Sequence, residues 1–298
     1  VSDLGLSPYR LTLTAPWRGV TQRQGWLVSA KDEQGRLGWG DACGWPGQDC
    51  AAPVLDPERS PSVEAALADL AAQQAGLPLR QFLSPKALDS LPVNAVADST
   101  ESVALAQAEG YSVIKIKVGL RSVDEELAFL RALPLTPGTL LRLDANRAWS
   151  FDEAAAFTAG LAGLPIDHLE EPLAEPKRLK ELQTLCDFPL ALDESLAAWK
   201  LIPLPRLVIK PSLLGLRKSL ALIHEARSAG RDCIVTSLLD SAVGVAAAAH
   251  LAAAAGLGDH AHGLATGSWF QQDLAESFPI RQGRLFFTDA PGLGVSPR

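Results

Sequence analysis

From about residue 92 onward the chain repeats one pattern: a short apolar run that ends in charged or polar residues, then a helical stretch. The runs are PVNAVAD, SVIKIKV, LLRLDAN, IDHLEEP, LALDES, RLVIKP, CIVTSLL and HAHGLAT. Segments rich in Ala, Leu and Glu, such as VDEELAFLRAL, FDEAAAFTAGLAGL and RKSLALIHEARSAG, separate most of them. Strands joined through helices run parallel and need both faces covered. Eight such units in roughly 175 residues predict an α/β fold, a (β/α)8-type barrel (modified TIM barrel), over residues 92–277. An open doubly wound sheet is the alternative, but no GxGxxG turn follows any run.

Residues 1–91 follow a different regime. YRLTLTA, GWLVSAKDEQG and RLGWGDA read as an antiparallel meander, and SVEAALADLAAQQAGL as a helix with Ser62 as cap and Glu64 in its first turn. This is a small N-terminal α+β capping domain, onto which residues 278–298 are expected to pack back.

Composition narrows the function classes. A net charge of −7 with no basic stretch argues against a nucleic-acid partner. The longest apolar stretch, Ala242 to Gly258, is alanine-rich and interrupted by His250, too short and weakly apolar for a membrane span. The opening VSDLGLSPYR lacks the basic start and apolar core of a signal peptide, so a cytoplasmic location is expected. Cys43, Cys50, Cys186 and Cys233 form no CxxC pair, and reduced thiols are expected rather than disulfides or structural zinc.

Barrel active sites form where strands end at the C-terminal face. Here the ends carry Lys115 and Lys117, then Arg142, Asp144 and Asn146, then Glu170 and Glu171, then Asp193 and Glu194, then Lys210. Any one could be a solvated strand end. Their recurrence decides otherwise: Lys117 to Asp144 is 27 residues, Asp144 to Glu170 is 26 and Glu170 to Asp193 is 23, one βα unit each. Carboxylates on adjacent strands make an all-oxygen site suited to Mg²⁺, for which Mn²⁺ can substitute. A lysine beside a second cation loses basicity and can serve as a base near neutrality. The reaction class is proton abstraction alpha to a carboxylate through an enediolate, and the partner is a small-molecule carboxylate.

KIK at 115–117, RLDAN at 142–146, LEEP at 169–172, LDES at 192–195 and VIKPSLLG at 208–215 together resemble the enolase superfamily. Within it the chain is most similar to the muconate-lactonizing subgroup and its o-succinylbenzoate synthase family of menaquinone biosynthesis. The resemblance implies Asp144, Glu170 and Asp193 as Mg²⁺ ligands, in preference to Glu171 and Glu194. It implies Lys117 as the base that also returns the proton to a departing hydroxyl. Lys115 would tune it, and Lys210 would lie across the substrate ring. Arg142 and Asn146 on the Asp144 face, together with Thr236, Ser237 and Gly263, are expected at the substrate. PWRGVTQRQG at 16–25 is expected as a mobile capping loop whose Arg18 meets a substrate carboxylate. His168, His260 and His262 are expected to pack, and Trp149 and Trp269 to pack or form the rim. The same site would also suit an N-acylamino acid racemase, a dipeptide epimerase or a lactonizing cycloisomerase. A barrel that only binds is disfavoured, because a scaffold has no reason to concentrate these charges.

Overall fold

The computed structural model describes residues 3–298. The N-terminal meander forms as read: β1 (Asp3–Trp17), β2 (Val20–Lys31) and β3 (Leu37–Cys43) pair antiparallel in that order. The segment expected as a capping loop is instead the tip of a hairpin. β1 runs to Trp17, Arg18 and Gly19 turn with positive φ, and β2 resumes at Val20. Helix α1 (Pro61–Ala75) packs on β3, where a Cβ at Gly38 or Gly40 would run into the helix backbone at Ala66 or Ser62. Its cap is Ser60, not Ser62: the Ser60 hydroxyl accepts from the Val63 N–H, and Pro61 takes the first helical position, where it needs no N–H. A short helix α2 (Leu79–Leu83) and strand β4 (Ser90–Pro92) lead onward.

Seven parallel strands follow: β5 (Ala95–Ala97), β6 (Val113–Lys117), β7 (Leu140–Asp144), β8 (Ile166–Glu170), β9 (Leu190–Leu192), β10 (Arg206–Ile209) and β11 (Asp232–Val235). They pair in sequence order. The connecting helices are α3 (Thr100–Ala108), α4 (Val123–Arg131), α5 (Phe151–Gly160), α6 (Leu179–Gln183), α7 (Pro211–Leu214), α8 (Leu216–Ser228) and α9 (Ala242–Ala254). Ser99, Ser122 and Ser150 start the first three with reciprocal side-chain caps.

The eighth expected strand, HAHGLAT, is not a regular strand. His262 and Gly263 nevertheless hydrogen-bond to both edges of the sheet: Asn94 N–H donates to His262 O, and His262 N–H to Pro92 O, while Gly263 N–H donates to Val235 O and Ser237 N–H to Gly263 O. A Cβ on Gly263 would lie 2.8 Å from the Thr236 side chain, so glycine permits this close approach.

Along β6, Ile114 and Ile116 are fully buried in the main apolar core, while Lys115 and Lys117 take the opposite face. Burying each isoleucine contributes about 1.5–3 kcal/mol and fixes which face the lysines occupy. At the other end of the chain, β12 (Ile280–Arg281) and β13 (Arg284–Phe286) add antiparallel to β4. Gly292 O accepts from Leu79 N–H, and Leu293 N–H donates to Asp69 of α1, so this segment lies against the N-terminal helices. No helix among the described residues is long and apolar enough to cross a membrane.

Candidate active site

Strand register sets the site. Lys117 pairs with Asp144, Asp144 with Glu170, and Glu170 with Ala191, which brings the ends of β6 to β9 level at one mouth. Lys115 Nζ lies 2.6 Å from both Glu170 Oε2 and Asp144 Oδ2. Lys117 Nζ donates to Asp144 Oδ2 at 2.5 Å and to Asn146 Oδ1 at 2.7 Å. Across the mouth, at the end of β10, Lys210 Nζ ion-pairs with Asp193 Oδ1. All of these charged and polar residues except Glu170, which is buried behind Lys115, line a cavity of about 500 Å³.

The two lysines of β6 are pushed apart electrostatically. Burial, with the cation of Lys115 adding to it, lowers Lys117 below the ordinary lysine range despite Asp144. Burial also works against Lys115, but Asp144 and Glu170 together raise it. Asp144 is buried too, yet Lys115 and Lys117 hold its carboxyl far below the usual carboxylate range. Burial, then the charge of Asp144, raises Glu170. One lysine thus stays charged while its neighbour gives up its proton more readily.

Of the residues expected at substrate, Arg18, Asn146, Thr236, Ser237 and Gly263 line the cavity. Arg142 does not. It shares the Asp144 face but sits two residues deeper, 1 % exposed, with its guanidinium on Asp167 Oδ2 and Asn94 Oδ1. His168 and His262 are buried in hydrogen bonds, and Trp149 packs on Phe157. The sequence reading missed Trp17 and Trp45, which join Trp269 on the cavity wall. Lys117 Nζ lies 5.8 Å from the Trp17 ring and Lys210 Nζ 5.4 Å from the Trp45 ring, so each lysine has an aromatic face over it. The available signal was a tryptophan in each of two Gly/Pro-rich turns, PWRG and GWPG.

Asp144, Glu170 and Asp193 offer only oxygen ligands, which suits a hard divalent cation. Glu170 Oε1 is buried without a hydrogen-bond partner, and such an acceptor costs about 1–3 kcal/mol unless a cation or donor meets it. The residues therefore fit Mg²⁺. They do not already converge on one point. Among the described residues, the three ligand-type atoms within 4.8 Å of one another belong to Asp41, Cys43 and Asp240. At the mouth the lysine ammonium groups stand against the carboxylates instead. The Asp41 group is hydrogen-bonded within the protein: Cys43 Sγ donates to Asp240 Oδ1 at 2.7 Å and Tyr9 to Asp41 Oδ1 at 2.6 Å. All four cysteines are free thiols, as the sequence suggested.

A family model described as Enolase C-terminal domain-like matches residues 98–298. The o-succinylbenzoate synthase of Mycobacterium tuberculosis (strain H37Rv) is 32% identical over 293 residues, covering 89% of this chain and 79% of that protein. The o-succinylbenzoate synthase of Mycobacterium marinum is 31% identical over 283 residues with the same coverage of 89% and 79%. Among solved structures, the L-Ala-D/L-Glu epimerase from Bacillus subtilis superposes with a TM-score of 0.86 at 24% identity, covering 98% of each chain. The muconate lactonizing enzyme from Pseudomonas fluorescens also gives 0.86, at 21% identity, covering 99% of this chain and 96% of that one.

Proposed function

The chain belongs to the enolase superfamily and is an enzyme of the lyase kind, and on that premise we propose that it dehydrates 2-succinyl-6-hydroxy-2,4-cyclohexadiene-1-carboxylate to o-succinylbenzoate, a step of menaquinone biosynthesis. The observation that carries this reading is the pair Lys117 and Lys210. They enter one cavity from different strands, each beside a carboxylate of the proposed metal set. Likeness to the mycobacterial synthases supports the choice of substrate.

In this reading Asp144, Glu170 and Asp193 hold Mg²⁺. The bound cation supplies a positive charge that stabilises the substrate carboxylate as the adjacent C–H bond breaks. Neutral Lys117 takes the C1 proton. The electron pair left at C1 forms the new ring double bond as the C6–O bond breaks, and Lys117 returns its proton to that oxygen, releasing water. Lys210 remains an ammonium and offsets negative charge on the opposite face. Trp17, Trp45 and Trp269 give the ring apolar walls and keep bulk water from it. Asn146, which accepts from Lys117, would hold it in reach of the ring, and Arg18, on the cavity wall, would meet the succinyl carboxylate.

Lysines on both sides of one cavity also suit a racemase or epimerase, which needs a proton carrier on each face of a carbon. The deciding experiment is absorbance-monitored turnover of the cyclohexadiene carboxylate with Mg²⁺, beside Lys117→Ala and an EDTA control. Turnover lost in both controls supports the synthase reading. No turnover by folded, metal-loaded protein, together with proton exchange on N-acylamino acids or dipeptides, transfers the assignment to the second reading.

A further inference from the structure

Glu171, set aside as a ligand, is completely buried behind the carboxylate wall. Its backbone is in the left-handed region at φ 41°, as are Asn146 and Arg147 at the end of the neighbouring strand, at φ 45° and 62°. Non-glycine residues rarely adopt this conformation, and here it turns the Glu171 side chain sideways under the next strand end. Glu171 Oε2 accepts from the backbone N–H of Asp193 at 2.8 Å and of Ser195 at 3.2 Å. Its Oε1 accepts from Ser195 Oγ at 2.5 Å and from Arg147 Nε at 3.4 Å. Arg147 Nη2 closes the triangle on Ser195 Oγ at 2.6 Å, and Arg147 N–H donates to Glu171 O at 2.7 Å. One carboxylate therefore holds the backbone on both sides of Glu194, whose side chain lines the cavity and accepts from Asn146 Nδ2 at 3.0 Å.

We infer that Glu171 is a positioning residue that fixes the backbone of Asp193 to Ser195, and so the direction in which Asp193 presents its carboxylate to a divalent cation and to Lys210. The inference rests on the metal reading of the site and adds a residue to it. Every group that faces the Glu171 carboxylate is a donor. Glutamine in its place carries an NH₂ that would face either the two fixed backbone N–H groups or Arg147 Nε, beside a Ser195 hydroxyl that would have to reverse its role. The network is weakened either way.

The test is Mn²⁺ titration of the full chain followed by electron paramagnetic resonance, on wild type, Glu171→Gln, Asp193→Asn and Ser195→Ala, with kcat and KM measured in parallel. Wild type should bind and Asp193→Asn should not. Glu171→Gln should bind about ten- to a hundredfold more weakly, with an altered Mn²⁺ spectrum and a kcat that falls more than KM rises. Ser195→Ala should shift binding the same way by a smaller factor, and it carries the test if Glu171→Gln does not fold. Wild-type binding with unchanged affinity and spectrum in the folded variant would overturn this inference alone. A wild type that does not bind Mn²⁺ would overturn the metal reading and this inference with it.

Discussion

Lys115 and Lys117 lay their ammonium groups against the same oxygen of Asp144, Oδ2, at 2.6 and 2.5 Å. Period two puts them on one face of β6, and the register with β7 puts Asp144 opposite. The deeper lysine also reaches Glu170 and is raised, whereas the outer one is lowered, first by burial and then by its neighbour. A base must be neutral to act, so kcat/KM should rise with pH as Lys117 loses its proton. Lys115→Met removes the neighbouring cation and leaves Asp144 to Lys117 alone, and both changes raise Lys117. The rising limb of the kcat/KM profile should move to higher pH, and an unmoved limb would remove Lys115 from any tuning role.

Lys117→Ala should lower turnover by about a hundred- to ten-thousandfold, the ordinary worth of a positioned acid–base group. Lys117 makes no contact with Glu170 or Asp193 among its hydrogen bonds, which go to Asp144 and Asn146. Cation binding should therefore survive in the variant. Titration calorimetry with Mg²⁺ separates this outcome from a collapsed site, in which binding and turnover would disappear together.

Glu170 has one oxygen on Lys115 and one buried and unpartnered. Mg²⁺ at about a hundred times its dissociation constant should stabilise the fold by about 2.7 kcal/mol, read as a thermal midpoint several degrees higher. Glu170→Gln should abolish that shift while leaving the metal-free midpoint close to wild type. An equal Mg²⁺ shift in the variant would place the cation elsewhere.

Much of this site could be read from the chain because strand period and βα spacing are local quantities. Lys115, Lys117, Asp144, Glu170, Asp193 and Lys210 do gather at one mouth. Period two gives the face of a residue but not its depth. That is why Arg142, on the same face as Asp144, was expected at the substrate and instead joins Asp167 two residues below. The cap of α1 moved from Ser62 to Ser60 because Pro61 suits the first helical position. HAHGLAT closes the sheet through single bridges rather than a regular strand, a choice made by its neighbours and not by its apolar pattern. Arg18 was expected at the substrate and lines the cavity, but its neighbour Trp17 was missed, because strand period and spacing do not say what a distant hairpin tip will cover. That tip meets the barrel through contacts such as Arg18 to Asn146, separated by 128 residues.

That contact carries its own prediction. Arg18 Nη1 donates to Asn146 Oδ1 at 2.8 Å, on the same oxygen that accepts from Lys117. The guanidinium sits at an exposed hairpin turn over the cavity. Arg18→Ala should mainly raise KM, by about tenfold for one lost charged contact, with kcat within a few fold of wild type. A fall confined to kcat would show instead that Arg18 acts through Asn146 on the base.

The seam between the N-terminal sheet and the barrel contains a second pair of carboxyls, Asp41 of β3 and Asp240 after β11. Ser241 donates from its N–H and Oγ to Asp41 Oδ2 at 2.9 and 2.8 Å, and nearby Arg23 donates to the carbonyls of Leu238 and Leu239, both at 3.2 Å. Burial, then the charge of Asp240, pushes Asp41 up to about 6 from an ordinary 3.8, and burial raises Asp240 as well. The folded state therefore keeps a proton that the unfolded chain has already released. The stability this provides is complete below pH 3.8 and is lost as pH rises through about 6. Asp240→Asn removes the like charge and lets Asp41 ionise closer to its ordinary range. Between about pH 4 and pH 7 wild type should therefore lose more stability than the variant, in which burial alone still raises Asp41. Asp69, also raised to about 6 by burial, titrates in both proteins and cancels in the comparison. Urea midpoints measured across that range check the difference, and parallel curves would mean that the charge of Asp240 does not act on Asp41 across the seam.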